Sequence, residues 1–242
     1  VCENYDAPHP TFTPPRRIAN GIMMNKPLVW RGNWLMPCAS WDKFQTAYND
    51  LPQERFSNVY RSTDGGKSFS LLSHVDYSDR HVDEHMMVEM KDGRILMLIR
   101  GKHGIGQSIS PDGGQPWEPP PDSGLGGPCS RFCIRSLKNG KWLLINHYHF
   151  KRRDHLTAML SDDDGTTWKG FLVLDERSDV SYPDAVEAED GTIYVIYDRE
   201  RYDAREILMA KITQTDILSG ALTSPGSRLK VLLNRAMGEK TD

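Results

Sequence analysis

The chain has 242 residues, with 30 Lys and Arg against 33 Asp and Glu, a formal net charge of −3, and 38% apolar residues. That length suits one large core, and an all-β propeller or barrel of this size counts as a single domain. The mixed charge excludes a nucleic-acid binder held by bulk electrostatics, and no uninterrupted apolar stretch is long enough to span a membrane as a helix.

No signal peptide is visible at the polar opening Val1-Cys2-Glu3-Asn4-Tyr5. Cysteines at 2, 38, 129 and 133 are too few for a disulfide scaffold, and their spacing matches no zinc site. Cys129 and Cys133 read either as a bonded pair or as two buried thiols on one strand.

Residues 1–18 carry Pro8, Pro10, Pro14 and Pro15 and read as irregular chain. From Gly21 a repeating order sets in: a polar start, a turn, an apolar run, an alternating run, a turn staple and a closing strand. The first unit turns at Arg31-Gly32-Asn33 and continues through the apolar residues 34–38. The second passes from residues 86–90 through Asp92-Gly93 into Ile95-Leu96-Met97-Leu98-Ile99. The third turns at Asn139-Gly140 into residues 142–145, and the fourth at Asp190-Gly191 into residues 193–197. Asp-Gly and Asn-Gly between apolar runs are strong hairpin signals, so each unit is expected to be a small antiparallel sheet. Outer strands at 155–160 and 206–212 complete the third and fourth.

The staple is Ser-x-Asp-x-Gly-x-x-aromatic. It occurs at Ser62, Asp64, Gly66 and Phe69, at Ser110, Asp112, Gly114 and Trp117, and at Ser161, Asp163, Gly165 and Trp168, so the repeats lie 48 and 51 residues apart. Such spacing marks a repeated supersecondary unit. The carboxylate accepts N–H bonds across a turn, Gly takes backbone angles closed to other residues, and the ring plugs the next strand. These acids are therefore expected to be folding residues. The fourth unit has instead a short helical turn at 213–217 and a last strand at 228–233. Repeated sheets of this size predict an all-β fold, a β-propeller of four-stranded antiparallel blades.

The three boxes resemble the turns of the sialidase superfamily. Asp83-Glu84-His85-Met86, Gly104-Ile105-Gly106-Gln107-Ser108, Ser181-Tyr182-Pro183-Asp184 and Ile196-Tyr197-Asp198-Arg199 are similar to its bacterial BNR-repeat branch, and the resemblance covers nearly the whole chain. It implies a propeller of six blades in complete members, of which about four to five are represented in the single domain 1–242. The N-terminal blades, which carry a first arginine and a catalytic aspartate, are expected to lie outside this sequence. It also implies a secreted or periplasmic exo-glycoside hydrolase acting on a glycan, with no cofactor and no metal.

In a propeller the inner strand of each blade starts, and the second strand ends, at one face of the channel. Starts supply Asn25 and Lys26, then Asp83, Glu84 and His85, then Ser130 and Arg131, then Tyr182 and Asp184. Ends supply Trp41, Arg100, Asn146, His147, Tyr197, Asp198 and Arg199. Arg100, Arg131 and Arg199 suit the carboxylate of a sialic or uronic acid, because the guanidinium fork binds it through two parallel hydrogen bonds. Lys26, Asn146, His147 and Tyr197 complete the expected substrate-binding set. Asp198 with Arg199 or Arg201 also reads as a plain ion pair.

The resemblance further implies a tyrosine nucleophile activated by a glutamate, carried over here to Tyr182 and Glu84, with Asp184 or His85 as general acid/base. Two other readings stay open. One is a propeller lyase or glycosidase acting on uronates, in which His85, His147 or Tyr182 moves the proton. The other is a glycan-binding propeller without catalysis. His147-Tyr148-His149 is expected on a strand with a structural role, and residues 151–154 as a charged loop at the channel rim.

Overall fold

The computed structural model describes residues 2–40, 51–82 and 84–238. Its strands fall into four consecutive groups. β1 (Leu28–Trp30), β2 (Asn33–Ala39), β3 (Ser57–Ser62) and β4 (Ser70–Val75) form the first sheet, and β5 (Met86–Glu89), β6 (Ile95–Arg100) and β7 (Ile105–Ser110) the second. β8 (Cys133–Ser136), β9 (Trp142–Asn146), β10 (Leu156–Ser161) and β11 (Lys169–Asp175) form the third. β12 (Val180–Glu187), β13 (Ile193–Arg199), β14 (Glu206–Ile212) and β15 (Arg228–Arg235) form the fourth, with helix α1 (Gln214–Ser219) between its last two strands.

Every sheet is an antiparallel meander in chain order, and the first strands β1, β5, β8 and β12 pack successively against one another. The four sheets are thus blades of a β-propeller. Among the described residues, no helix is long and apolar enough to cross a membrane.

The second blade departs from the four-stranded expectation. Its outer edge is lined by residues 118–123, held through Glu118 N–H to Ile109 O, Gln107 N–H to Pro121 O and Ser123 N–H to Ile105 O at 2.9–3.0 Å. Pro119, Pro120 and Pro121 have no N–H to give, so the segment makes only an isolated bridge between Gly106 and Asp122 in place of a fourth strand.

Packing between blades explains why the middle strands read as unbroken apolar runs. On β6, Ile95, Met97 and Ile99 pack with Trp30, Leu35 and Val59 of the first blade, while Leu96 and Leu98 pack with Ile134, Leu144 and Ala158 of the third. Side chains alternate across a strand, so a blade covered on both faces has no polar positions to spare. On β13, Ile193, Val195 and Tyr197 join the core shared with the third blade. The opposite face of the fourth blade presents Ile196 and Val186, about half exposed at 46% and 51%.

The boxes act as staples, as expected. Ser62 Oγ donates to Asp64 Oδ1 and accepts from Gly66 N–H, both at 2.8 Å, while Lys67 and Ser68 N–H reach Asp64 Oδ1 at 2.9 Å. Asp163 repeats this with Ser161 Oγ at 2.8 Å and Thr167 N–H at 2.8 Å. The Thr167 hydroxyl and amide, then Ser161, hold the Asp163 carboxyl down at about 2. Gly66 has φ +85°, and a Cβ there would sit 2.8 Å from the ring of Trp34, which opens the blade's second strand opposite Ser62.

In the middle box Gly114 N–H still reaches Ser110 Oγ at 2.9 Å. The position four after Asp112 is Pro116, which lacks the amide that Ser68 and Thr167 provide, and among the described residues the Asp112 carboxylate makes no equivalent bond.

The fourth blade uses another carboxylate for the same purpose. Asp216 is fully buried in α1 and accepts from Thr213 N–H, Thr223 N–H, Ser224 N–H and Ser227 Oγ at 2.6–2.9 Å. Burial works to raise its pKa, but these hydrogen bonds outweigh it and hold the group well below the usual carboxylate range.

Candidate active site

The starts of all four inner strands are joined by hydrogen bonds. Asn25 donates to the carbonyls of Glu84 at 2.7 Å and His85 at 2.9 Å, and its Oδ1 accepts Arg131 Nε at 2.8 Å. Arg131 also donates to Pro183 O at 2.6 Å and Met24 O at 3.1 Å. Lys26 Nζ pairs with Asp184 Oδ1 at 3.2 Å across 158 residues of sequence. Arg131 is buried and spends its donors on the protein, so it braces the four blades at the axis.

Tyr182 lies at the centre of this convergence. Its hydroxyl donates to Glu84 Oε1 at 2.7 Å, and Arg100 Nη1 holds the other oxygen, Oε2, at 2.6 Å. Glu84 and Arg100 are nearly inaccessible, whereas Tyr182 is half-buried. Pairing between β12 and β13 slips between Ser181 and Asp184, and Tyr182 has φ +56°. Such bulges re-aim a side chain, and a non-glycine residue held in the left-handed region costs about 1–3 kcal/mol. Here the irregularity turns the phenol onto Glu84. Over the tyrosine ring lies the Arg201 guanidinium, 4.2 Å from its centroid, fixed by Asp198 Oδ2 at 2.6 and 2.8 Å. Ser181 Oγ donates to the second Asp198 oxygen at 2.8 Å.

The structure puts other expected site residues elsewhere. Tyr197 is buried with its hydroxyl on Asp175 Oδ2 at 3.1 Å, and Arg199 pairs with Glu206 at 3.1 Å and with Glu200. Arg177 and Arg235 join the same network at 2.6 Å from Asp175 and Glu206. Residues 197 and 199 share one face of β13, where Tyr197 reaches the third blade through Asp175 and Arg199 pairs within its own blade, while Asp198 faces the opposite side toward Arg201. Asn146 is buried at the end of β9. Trp41 and Asp83 lie outside the described residues.

His85 and His147 are each 1% exposed, with Nε2 at 2.8 Å from the carbonyl oxygens of Asn58 and Val180. Burial pushes both imidazoles down to about 4. Each ring donates to a backbone carbonyl of the adjacent blade and so helps to join the two. The unfolded chain, with histidine near its ordinary ~6.5, binds more protons than the folded one between about pH 6.5 and 4, so stability is full above that window and falls as pH drops through it. By pH 4 each histidine is expected to cost about 3 kcal/mol. His85→Gln should flatten urea-measured stability between about pH 7 and 4 by that amount; an unchanged slope would show that the ring is accessible to protons.

The strand β9 ends at Asn146, and residues 147–150 form a turn closed by Phe150 N–H on His147 O at 3.0 Å, so His147 and His149 do not alternate on a strand. All four cysteines are free thiols, and Cys129 Sγ lies 3.2 Å from His81 Nδ1. Among the described residues, no three His, Cys, Asp or Glu gather as a metal would require.

Two arginines outside the expected set belong to the neighbourhood. Arg153 shares the Cys129 carbonyl with Arg100, at 3.1 and 3.0 Å. Arg153 and Arg201 also border a cavity of about 390 Å³, together with Asp179, Ser181 and the 200–203 turn. The sequence signal for Arg153 was the charged 151–154 loop, and for Arg201 its spacing from Asp198; neither pointed at Tyr182.

Box-stapled blades whose inner strands meet around an axis define a β-propeller of the repeat class expected from the sequence. The chain belongs to the BNR repeat-like domain family, which matches residues 3–195. Comparison with curated proteins gives no match.

Solved structures share the fold. The leech intramolecular trans-sialidase, complexed with 2,7-anhydro-Neu5Ac, is 17% identical with a TM-score of 0.60 over 78% of this chain and 30% of its own. The intramolecular trans-sialidase of Ruminococcus gnavus, in complex with oseltamivir carboxylate, is 17% identical with a TM-score of 0.60 over 84% of this chain and 43% of its own. An exo-β-1,3-galactanase of Phanerochaete chrysosporium with galactose is 10% identical with a TM-score of 0.58 over 86% and 50%. The chain therefore spans less than half the length of the two trans-sialidases.

Proposed function

We propose that the chain carries the nucleophilic part of a retaining glycoside hydrolase acting on an acidic glycan. The observation behind this reading is the 2.7 Å hydrogen bond from Tyr182 to Glu84, two residues 98 positions apart that a propeller axis unites. Glu84 Oε1 takes the phenolic proton as the Tyr182 oxygen attacks the anomeric carbon, and Arg100 steadies the other carboxylate oxygen. A neutral phenol suits this attack, because a carboxylate nucleophile would be repelled by an anomeric centre that bears its own carboxylate.

Once Lys26 turns from Asp184 to the sugar's carboxylate, Asp184 takes up a proton from solvent and gives it to the leaving glycosidic oxygen as that bond breaks. It then accepts a proton from the water that cleaves the glycosyl-tyrosine and restores the phenol. Lys26, whose side chain is about half exposed, is the cation that would meet the sugar's carboxylate. The trans-sialidases among the similar structures favour sialic acid as that sugar, and the setting is then secreted or periplasmic.

The test is incubation with sialyl and glucuronyl oligosaccharides, following free sugar and ultraviolet absorbance together. Release of free acidic sugar supports the reading. A new unsaturated chromophore would make the chain a lyase, and tight binding without any product would make it a binding propeller.

A further inference from the structure

We infer that the cavity beside Arg201 is a subsite for a neutral sugar, with the ring of Tyr202 as its stacking platform. Its position next to the scissile bond rests on the catalytic reading above; its affinity for a neutral sugar does not.

Placement is the first argument. The cavity of about 390 Å³ opens between the loop before β10 and the end of the β12–β13 pair where β12 starts and β13 stops, and its wall includes Ser181 and Arg201 but neither Tyr182 nor Glu84. Ser181 precedes Tyr182 in the chain, and Arg201 covers the Tyr182 ring. The cavity thus adjoins the reacting pair without containing it. Its size falls at the small end of the ~300–1,000 Å³ of ordinary ligand sites, enough for a small sugar.

Charge is the second. Three carboxylates, Asp179, Glu200 and Asp203, face two guanidinia, Arg153 and Arg201. Arg201 is already matched by Asp198, and Glu200 by Arg199. The lining therefore has no surplus positive charge to attract an anion. It offers carboxylate acceptors and N–H donors at close quarters, the combination that matches sugar hydroxyls, each of which both donates and accepts.

The third argument is an exposed aromatic carried on a hydrogen-bonded turn. Tyr202 is 75% exposed. It rides on a turn closed by Asp203 N–H and Arg205 N–H, both on Glu200 O at 2.9 and 2.7 Å, and tied down by Glu200 N–H on Asp179 O at 3.0 Å. The backbone that carries the ring is thus fixed, a tyrosine has only two side-chain torsions to order on binding, and the apolar face of a sugar buries against the ring.

The test uses the whole chain and three neutral disaccharides, lactose, cellobiose and maltose, as probes in saturation-transfer NMR titrations. At least one is expected to bind with a Kd of about 1 mM. Tyr202→Ala should weaken it about five- to tenfold, and Tyr202→Phe should retain it. No binding by any probe, or binding indifferent to Tyr202→Ala, overturns the inference.

A kinetic arm then locates the subsite. Tyr202→Ala should raise KM for a sialyl or glucuronyl disaccharide and leave the methylumbelliferyl glycoside, which has no sugar on the leaving side, unchanged; equal effects on both overturn the placement. Should a disaccharide bind through Tyr202 while no glycoside is cleaved, the catalytic reading fails and the sugar site stands.

Discussion

Tyr182→Phe is expected to reduce glycoside cleavage by about 10³-fold or more while leaving the chain folded. The change removes one oxygen. The half-buried ring keeps its place under Arg201, and the loss to stability is that of one hydrogen bond to a charged acceptor, about 1.5–3 kcal/mol. Steady-state kinetics with a sialyl or glucuronyl oligosaccharide, beside a thermal melt, separates the two effects. A variant that keeps most of its rate would remove Tyr182 from the role of nucleophile and leave the Glu84 carboxylate as a structural partner only.

The largest stability effect is expected at the ion pair beneath that tyrosine. Glu84 and Arg100 have side chains 1% and 5% exposed and lie 2.6 Å apart. Truncating either one strands the other's charge away from water, a loss of about 3–5 kcal/mol. For a chain of this length that corresponds to a fall of about 10 °C or more in Tm. Replacing both at once, as Glu84→Leu with Arg100→Met, should cost less than either Glu84→Ala or Arg100→Ala alone, since no buried charge is left unpaired. Denaturant unfolding of the three variants beside the unaltered chain checks this. If Arg100→Ala costs under about 1 kcal/mol, water reaches the pair and it behaves as an exposed one.

The two results are linked through the fold. The carboxylate that meets the tyrosine hydroxyl is held by a cation from the end of β6, so the second blade contributes both the Glu84 acceptor and its counter-charge. Tyr182 comes from the fourth blade, where the slip in β12 turns it toward Glu84. Arg131, expected to bind substrate, instead ties the start of the third blade to Asn25, Met24 and Pro183. A guanidinium fork meets backbone carbonyls as readily as a carboxylate, and nothing in the residue's type separates the two uses.

Local features were legible in the amino-acid sequence. Hairpin turns, box staples and the α1 cap depend on residues within a few positions of one another, so turn chemistry and alternation were enough to place the blades and their order. Where local chemistry breaks, the fold follows: the prolines at 119–121 deny the second blade its fourth strand, and Pro116 denies Asp112 its amide partner. The pairing of Glu84 with Tyr182 was proposed from chain order and family resemblance, and its 2.7 Å contact is a fact of tertiary structure. Only the three-dimensional arrangement decided which arginine faces what. Side chains two apart on β13 turn to the same side, so Arg199 follows Tyr197 and pairs with Glu206 and Glu200 while Asp198 turns to Arg201; the direction that counts as inward depends on the neighbouring blade, which no local pattern encodes.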